Sequence, residues 1–341
     1  MMRPLRIGVL GAARITPYAM LAPARLNPDV VVVAVAARER STAEVFANKH
    51  GIPRVHDSYS SLLADPDLDA IYNPLPNSLH GVWTMRALRA GKHVLCEKPL
   101  AANAEEAAAM ATTAQETGLV LMEAFHTLYH PLAARMKAIV ASGELGTIRH
   151  VEAHFCTLLR RRNDIRLDYP LGGGATMDLG CYTIRLLRFL TGCEPQVMHA
   201  EATCYRPHID RKMVADFLFP LPTGETVTGT MRCAFWSRHL IRITAKVVGE
   251  QGELTVINPL LPHLFHLLMV KTGKGRRFER CPGESTYAYQ LRAFVAAIQQ
   301  RAPFPSSAVD AVANMRVIDA IYRAAGLELR LPYHSASALP R

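Results

Sequence analysis

The stretch LRIGVLGAARIT, which runs from Leu5 to Thr16, decides how the chain begins to fold. Leu5 to Leu10 is an apolar run of strand length, and the turn from Gly11 onward opens a helix. Compared with the dinucleotide-binding pattern G-x-G-x-x-G, this turn keeps the first glycine and has Ala13 and Thr16 at the other two positions. By itself the turn fits an ordinary strand–turn–helix equally well. Because it opens a series of alternating strands and helices, we interpret it as a loop whose backbone N–H groups hold a pyrophosphate.

Strands and helices alternate through the first third of the chain. Strands are predicted at Val30 to Ala36, Ala70 to Asn73, His93 to Cys96 and Leu119 to Met122, with helices at Ser78 to Ala90 and Ala104 to Thr117. This repetition is typical of an α/β fold with a parallel sheet and helices on both faces. In such sheets, ligands bind at the carboxyl ends of the strands.

The residues that follow the second strand bear on the choice of cofactor. A site specific for NAD would place Asp or Glu there to bind the ribose hydroxyls, whereas this chain has Ala37-Arg38-Glu39-Arg40-Ser41. A small residue followed by arginine leaves room for a 2′-phosphate and supplies a guanidinium that binds it. The alternative is a solvated loop in which the arginines occur by chance. We expect NADP(H) to be favoured over NAD(H).

Polar groups also follow the next two strands. Asn77 and His80 come after one of them, and Glu97-Lys98-Pro99 comes after the other. Pro99 restricts the backbone just after Lys98, and a cis bond there would hold the lysine aimed into the cleft. The alternative is a surface lysine, but most surface lysines do not stand at a strand end between Glu and Pro. His80 is interpreted as a structural residue at a helix start in preference to a catalyst.

Beyond Met122 the pattern changes to long strands. Sequential strands joined by short turns imply a mostly antiparallel sheet. These strands are predicted at Ile148 to Thr157, Gln196 to Cys204, Met213 to Phe219, Thr226 to Phe235, Ile241 to Val248 and Glu253 to Val256, with helices at Pro131 to Ala141, Gly174 to Thr191, Tyr287 to Gln300 and Val309 to Ala325. We expect two domains, residues 1–124 and residues 125–341.

The stretch GGGATMDLGCYTIR, Gly172 to Arg185, is interpreted as part of a polar site. Its glycines allow a close approach to a ligand, because glycine carries no Cβ. In a helix, Asp178, Tyr182 and Arg185 fall at i, i+4 and i+7 and project from one face. The alternative is a solvent-facing stripe, since charged side chains usually face water.

Composition and charge narrow the class of protein. A chain of 341 residues exceeds the size of one ordinary core, and 50% hydrophobic with 20% charged residues is normal for a soluble globular protein. The net charge of +10 comes from scattered basic residues, which favours anionic small ligands over nucleic acid. Seven dispersed cysteines without a CxxC pair indicate reduced thiols in the cytoplasm and no metal site. No apolar run approaches the ~18 residues that a membrane span needs.

Four motifs in this order, RIGVLGAARI, GKHVLCEKPL, GGGATMDLGCY and STYAYQLRAFVAAI, resemble the Gfo/Idh/MocA oxidoreductases over nearly the whole chain. The resemblance implies an N-terminal Rossmann domain and a C-terminal α+β domain with an open, mostly antiparallel sheet. It also implies hydride transfer between a nicotinamide and a carbon that bears a hydroxyl or carbonyl group of a sugar, ketosugar or cyclic diol. The outer face of the second sheet is often the oligomer interface in this family, so a homodimer or homotetramer is expected.

The helix motif of the family narrows the branch. Inositol- and anhydrofructose-type members carry D-x-x-x-H-x-x-D, whereas here Tyr182 stands in place of the His and Arg185 in place of the final acid. Tyrosine at this position is similar to the glucose–fructose oxidoreductase and dihydrodiol dehydrogenase branch, and it implies that Lys98 and Tyr182 are the catalytic pair. Asp178 would orient the substrate or tune the pair. Arg185 matches no functional position of the family.

The resemblance also implies the residues that line the site. His126 and Tyr129 lie where family members line the substrate pocket. The cofactor-binding residues implied in this way are Gly11, Ala12, Ala13, Arg14, Ile15, Ala37, Arg38, Ser41, Tyr72, Pro74, Leu75, Asn77, His80, Glu97, Lys98, Arg166 and Tyr287.

The chemistry of carbonyl reduction agrees with the proposed pair. A ketone receives a hydride on carbon and a proton on the developing alkoxide, and a phenol can supply that proton. The unperturbed pKa of a phenol, about 10, is high for a base in the reverse direction, and a nearby ammonium favours the phenolate. Lys98 would supply that ammonium, and it can also polarise the carbonyl oxygen directly.

Two other functions compete with this interpretation. A non-catalytic NADP-sensing regulatory protein would use the same fold, and loss of the Lys/Tyr pair would signal it, but Lys98 and Tyr182 are both present. An oxidoreductase that recycles its cofactor without releasing it would need extra segments to bury the cofactor. We do not expect that enzyme, because the first strand starts at Leu5.

Overall fold

A computed structural model describes residues 3–160, 164–221, 224–237 and 241–333. The chain divides into two compact units. Within the described ranges, the first unit comprises residues 3–126, Tyr287–Val312 and residues 331–333, and the second comprises Thr127–Thr286 and Ala313–Arg330. No helix in the described ranges is long and apolar enough to cross a membrane.

The first unit contains a six-stranded sheet in the order β3-β2-β1-β4-β5-β6, with every pair of neighbours parallel. The central strands are largely apolar because helices cover both faces of a parallel sheet. For example, Ile7, Val9 and Ile71 are fully buried. The strands are β1 Leu5–Leu10, β2 Val30–Ala36, β3 Arg54–His56, β4 Ala70–Asn73, β5 His93–Cys96 and β6 Leu121–Glu123.

Helices connect these strands. A π-helical turn, Pro17–Leu21, leads into α1, Ala22–Arg25, and the others are α2 Arg40–His50, α3 Tyr59–Leu63, α4 Asn77–Arg89 and α5 Ala104–Thr117. Asn103 caps α5, because its side chain accepts the N–H of Glu106, and Gly118 ends it in the left-handed region at φ +66°. β6 starts at Leu121, two residues later than predicted. The Leu119 N–H still donates to the Ala114 carbonyl of α5, so Leu119 belongs to the end of the helix.

The predicted alternation is confirmed for β1, β2, β4, β5, α4 and α5. It misses β3, α2 and α3, which lie between β2 and β4. β3 is a three-residue edge strand whose residues are all half-buried, so it carries no apolar run that a periodicity argument would detect.

The second unit contains an eight-stranded sheet in the order β14-β13-β12-β11-β7-β10-β9-β8. All neighbours are antiparallel except β7 and β10, so the predicted, mostly antiparallel sheet is confirmed. The strands are β7 Ile148–Cys156, β8 Gln196–Arg206, β9 Ile209–Pro220, β10 Thr226–Ala234, β11 Arg242–Gly249, β12 Gly252–Ile257, β13 Leu267–Thr272 and β14 Gly275–Glu279. The last two strands are not predicted from the sequence. β14 is an edge strand rich in charged residues, so no second apolar run marks the hairpin that it forms with β13.

Helices α6, Pro131–Ala141, and α7, Cys181–Thr191, belong to the second unit, where α7 packs on β7 and β10. The inward side chains of the strands form the core of this unit, for example Ala153, Met231 and Ala245. Two further helices are α8, Thr286–Gln300, and α9, Ala308–Ala324. The bounds of α6, α8 and α9 agree with the predicted helices to within one residue.

The opposite face of the second sheet is mixed in character. By strand alternation it carries polar residues such as Thr228 and Lys246. Near the β14 edge it carries apolar side chains with large exposed fractions, 37% for Ile257, 37% for Leu267 and 62% for Phe278. We call these three residues the apolar edge patch.

Candidate active site

The turn after β1 has the backbone that a dinucleotide-binding loop needs. Gly11 lies in the left-handed region at φ +80°, and its N–H donates to the Ala36 carbonyl at 2.6 Å. A Cβ on Gly11 would lie 3.0 Å from the Leu75 side chain, so the turn is pressed against the segment that follows β4. The strand order changes direction between β1 and β4, which is where open α/β sheets bind ligands.

The end of β2 presents a guanidinium to solvent. Ala37 is buried, whereas Arg38 and Ser41 are exposed. Arg40, two residues further on, is held by Glu44 at 2.8 Å and by Asp57. Burial raises the pKa of the Tyr59 phenol, and the charge of Arg38 and a hydrogen bond with its backbone oppose that increase. The Tyr59 hydroxyl would be 3.7 Å from a Cβ on Gly11, so Tyr59 lies beside both the turn after β1 and the residues after β2.

His80 links the segment after β4 to residues 97–102, which contain Lys98 and which we call the Lys98 loop. Its side chain is fully buried, and its ring nitrogens lie 2.8 Å from the Pro99 carbonyl and 2.7 Å from the Leu75 carbonyl. Burial is the main cause that lowers the pKa of His80 to about 4; the hydrogen bonds with the Pro99 and Leu75 carbonyls oppose this decrease, and the charge of Lys98 adds to it. The peptide bond between Lys98 and Pro99 is cis. His80 therefore holds the peptide that joins Pro99 to Leu100, one residue after Lys98.

Buried carboxyl groups hold the rest of this loop. Glu123 Oε1 accepts the Leu100 N–H at 2.7 Å, and Glu106 Oε2 accepts the Ala102 N–H at 2.8 Å. Burial raises the pKa of Glu106 to about 7, opposed by the bond from Ala102. These two glutamates are not found by sequence reasoning. Glu106 reads as an ordinary acidic residue in the first turn of α5, and no motif marks Glu123.

Three residues predicted to bind the cofactor interact with one another in the first unit, namely Tyr72, Glu97 and Tyr287. The Tyr72 hydroxyl donates to Glu97 Oε1 at 2.7 Å, and burial followed by the charge of Glu97 raises the pKa of Tyr72 well above its usual value. Tyr287, at the start of α8, also has a raised pKa through burial and the charge of Glu97. Its ring centroid lies 4.1 Å from that of His126, a buried residue predicted to line the substrate pocket.

The other predicted cofactor residues in this unit lie in the turn after β1 or between β4 and the start of α4. Leu75 is buried, and its N–H donates to Asn73 Oδ1 at 3.3 Å. The remaining residues are Ala12, Ala13, Arg14 and Ile15 in the turn after β1, and Pro74 and Asn77 in the turn that opens α4.

In the second unit, Asp178 is paired with Arg166. The Arg166 Nε lies 2.8 Å from Asp178 Oδ2, and its NH1 lies 3.3 Å from Asp164 Oδ1. The charge of Asp178 is the main cause of the raised pKa of Arg166, and Asp164 adds to it. Asp164 in turn caps the short helical turn Ile165–Leu167 by accepting the Arg166 N–H. Arg166 was predicted to bind the cofactor, and Asp164 was not predicted to take part in the site.

Tyr182 and Arg185 are buried, with exposed fractions of 9% and 6%, so the alternative of a solvent-facing stripe is wrong for them. The Tyr182 ring meets the ring of Phe155 edge to face, with the centroids 5.8 Å apart. The predicted helix is not uniform, because Thr176–Gly180 forms a π-helical turn before α7 begins. A π turn alters the angular offset between Asp178 and Tyr182, and such turns are frequent at functional sites.

The predicted site residues thus form two groups, one in each unit. Lys98, His126 and all predicted cofactor residues except Arg166 belong to the first unit, and Tyr129, Arg166, Asp178 and Tyr182 belong to the second. Among the described residues, no group of three or more His, Cys, Asp or Glu side chains is arranged to hold a metal ion.

Each unit matches a model of a known protein family. Residues 5–125 match the family model described as the GFO/IDH/MocA oxidoreductase family, NAD-binding Rossmann fold, and residues 133–255 match the GFO/IDH/MocA C-terminal domain. The D-xylose 1-dehydrogenase (NADP(+)) 2 of Haloferax volcanii is 33% identical over 94% of this chain and 97% of its own length. The dTDP-3,4-didehydro-2,6-dideoxy-alpha-D-glucose 3-reductase of Streptomyces violaceoruber is 33% identical over 95% and 96%.

A solved structure is similar over almost the whole chain. It is that of KijD10, a 3-ketoreductase from Actinomadura kijaniata in complex with NADP and TDP-benzene, and it gives a TM-score of 0.85 at 28% identity. The match covers 94% of this chain and 98% of the ketoreductase. Variants of that ketoreductase in which a tyrosine is replaced by phenylalanine, or a lysine by alanine, have also been crystallised with NADP and TDP-benzene.

Proposed function

Because the chain belongs to the GFO/IDH/MocA oxidoreductase family, we propose that it is an NADP(H)-dependent dehydrogenase or reductase. The substrate is a sugar, ketosugar or cyclic diol that carries the reacting hydroxyl or carbonyl group. The observation that carries the proposal is the Lys98 loop. His80, Glu106 and Glu123 hold this loop at the carboxyl end of β5, at the edge of the sheet where a Rossmann fold binds its dinucleotide.

The residues of the first unit fit an NADP molecule. Gly11 supplies a turn without a Cβ at the switch point of the sheet, where a pyrophosphate approaches the backbone. The buried Ala37 and the exposed Arg38 leave room for a 2′-phosphate and supply a guanidinium that can bind it with two hydrogen bonds. The cofactor, when bound, gives or takes the hydride.

The proton is assigned to Tyr182. In the direction of reduction its phenol donates to the substrate oxygen, and in the direction of oxidation the phenolate removes the hydroxyl proton. Lys98 is assigned the task of favouring the phenolate by its positive charge, which counteracts a phenol pKa of about 10. Asp178, oriented by Arg166, is assigned to a hydroxyl group of the substrate. These roles rest on the position of each residue in the family motifs.

Two properties of the relatives support the choice of substrate class. The xylose dehydrogenase and the deoxyglucose 3-reductase both act on sugars, one at a hydroxyl and the other at a keto group. We further infer a homodimer or homotetramer in which the outer face of the second sheet, with its apolar edge patch, is covered by another copy.

The test is a turnover screen. Purified protein is assayed with aldoses, ketosugars, nucleotide-activated ketosugars and cyclic diols, with NADP and NADPH in the two directions, and Lys98→Met serves as the matched inactive control. We expect turnover of at least one sugar or diol in the wild type and a strongly reduced rate in the control. Tight NADPH binding without turnover in any class would contradict the enzyme and favour a sensor protein.

A further inference from the structure

The second unit contains a completely buried ion pair between Asp210 and Arg330. Both side chains have an exposed fraction of 0%, and Arg330 NH2 lies 3.1 Å from Asp210 Oδ1. The Tyr322 hydroxyl donates to the same carboxylate oxygen at 3.0 Å, and the guanidinium stacks 4.2 Å from the centre of the Tyr322 ring. Removing two charges from water is costly, and a buried ion pair is seldom the most stable way to fill such a space. The pair therefore calls for an explanation other than stability.

Hydrogen bonds from this pair hold both ends of one short segment. Asp210 Oδ2 accepts the backbone N–H and the hydroxyl of Thr176, each at 2.7 Å. Arg330 Nε donates to the Gly173 carbonyl at 2.6 Å. The segment from Gly173 to Thr176 is thus fixed at its first carbonyl and at its last amide.

The segment is also pressed against the pair. Gly174 has φ +133°, a conformation that side chains other than glycine rarely adopt. A Cβ at this position would lie 2.3 Å from Asp210 Oδ1 and 2.6 Å from Arg330 NH2. Gly174 is therefore required because the backbone approaches a buried ion pair within the protein, a contact that the sequence does not predict.

The fixed segment leads directly into the residues assigned to the reaction. Thr176 begins the π-helical turn that contains Asp178, and α7, which follows without a break, carries Tyr182. A shift of Thr176 is transmitted to both side chains, because they project from the same continuous helical backbone. Misplacement of a reacting group by about 1 Å can cost on the order of 100-fold in rate.

We propose that the Asp210–Arg330 pair is a positioning device that fixes the helix start for Asp178 and Tyr182. The inference rests on the proposed function of Tyr182, and it adds two residues that contact neither substrate nor cofactor. Arginine suits this task because its planar fork serves three acceptors at once, the carbonyls of Gly173 and Glu328 and the Asp210 carboxylate. A lysine would keep the charge but could not hold that geometry.

The test replaces Thr176, the link between the pair and the helix. Thr176→Val keeps the shape and the backbone N–H but removes the hydroxyl donor, whereas Thr176→Ser keeps both donors. We expect Thr176→Val to lower kcat by about 10- to 100-fold with KM and NADPH affinity nearly unchanged, and Thr176→Ser to restore most of the rate. Wild-type kcat in Thr176→Val, or equal losses in both variants, would overturn the inference.

Two additional measurements keep the inference separate from the proposed function. If Tyr182→Phe retains the wild-type rate, the proposed role of Tyr182 as proton donor fails whatever Thr176 does. The phenol can be followed without turnover, by NMR of protein with labelled tyrosine in which Tyr182→Phe assigns the ring signal. We expect the Tyr182 signal to be shifted or multiple in Thr176→Val and single in Thr176→Ser. An unchanged signal in folded Thr176→Val would overturn the positioning role.

Arg330→Lys provides an independent variant. It keeps the charge opposite Asp210 and removes the fork, so kcat is expected to fall as in Thr176→Val while the protein remains folded. Loss of folded protein in this variant, together with wild-type kcat in Thr176→Val, would show a purely structural pair and overturn the inference.

Discussion

Arg166 Nε lies 2.8 Å from Asp178 Oδ2, so a residue predicted to bind the cofactor is paired with a residue predicted to act on the substrate. Asp164 contacts the same guanidinium at 3.3 Å and caps the turn on which Arg166 lies. The arginine is therefore oriented from two sides. The sequence predicts a cofactor contact for Arg166 and a substrate contact for Asp178, and the structure shows that the two side chains form one ion pair.

Replacement of Arg166 tests whether this residue orients Asp178, binds the cofactor, or does both. Arg166→Gln should lower kcat by about 10- to 100-fold, because hydrogen bonds to charged groups contribute roughly 1.5–3 kcal/mol and Asp178 would lose its partner. The predicted cofactor contact requires, in addition, a weaker NADPH affinity in the same variant. Steady-state kinetics and fluorescence titration measure the two effects, and Asp178→Asn is the matched variant on the other side of the pair. Unchanged kcat in both variants would contradict the role of Asp178.

Cofactor preference should depend on Arg38. NADP(H) is expected to bind at least about tenfold tighter than NAD(H), because a bidentate arginine–phosphate pair has no counterpart in NAD. Arg38→Ala should remove most of that difference. Arg40→Ala is the matched control, since Arg40 is already held by Glu44 and Asp57 and should leave the preference unchanged. Equal wild-type affinities for the two cofactors in a fluorescence titration would contradict the assignment.

Tyr182 and Lys98 should behave as one catalytic unit. Tyr182→Phe removes only the hydroxyl and is expected to lower kcat by about 10² to 10⁴-fold, the usual contribution of a positioned acid or base. Lys98→Met keeps the stem, removes the charge and should cost a similar factor. The double variant should be little worse than either single variant, because residues acting together are non-additive. Steady-state kinetics measure all three, with Tyr205→Phe as the control tyrosine, and near-normal kcat in Tyr182→Phe would assign the proton to another group.

Assembly should depend on the apolar edge patch. Light scattering of the wild type is expected to report a dimer or tetramer at micromolar concentration. Replacing Leu267 and Phe278 together by Asp should shift it towards the monomer, because each charge would have to be buried against another copy. Val45→Asp, at an exposed apolar residue of α2, is the control. A monomeric wild type, or an unchanged assembly in the double variant, would count against this interface.

Acid should destabilise the second unit through His130. Its Nδ1 accepts the Leu132 N–H at the start of α6, and burial followed by the charges of His266 and His263 lowers its pKa from 6.5 to about 4. Because the unfolded chain binds the proton first, the stabilisation is complete above about pH 6.5 and is lost as the pH falls from there through 4.

The loss can be assigned with one variant. His130→Asn keeps an acceptor that suits the helix start and removes the titrating ring. Urea unfolding at pH 7.5 and pH 4.5 should show a fall in the free energy of unfolding that is smaller in His130→Asn by about 2–3 kcal/mol. The same fall in both proteins would show that other groups, such as His80, cause the acid sensitivity.

Much of the fold is determined locally by the sequence. The apolar runs Leu5–Leu10 and Val30–Ala36 coincide with β1 and β2, because a buried parallel strand needs a continuous apolar stretch whatever its neighbours. The same holds for α6, whose start is set by His130 and Pro131. β3 and β14 could not be predicted in this way, because edge strands are stabilised by pairing to a neighbour and carry polar residues.

For the site, the sequence by itself determined the motif residues: Gly11, Arg38, Lys98 and Tyr182 are recognised from their neighbours along the chain. Only the tertiary structure decided how they are held. His80 contacts the Pro99 carbonyl across 19 residues, and Arg330 contacts the Gly173 carbonyl across 157. The physical reason is that a buried polar group must be satisfied by whatever partner the fold brings to it, and no local pattern in the sequence encodes a partner so distant.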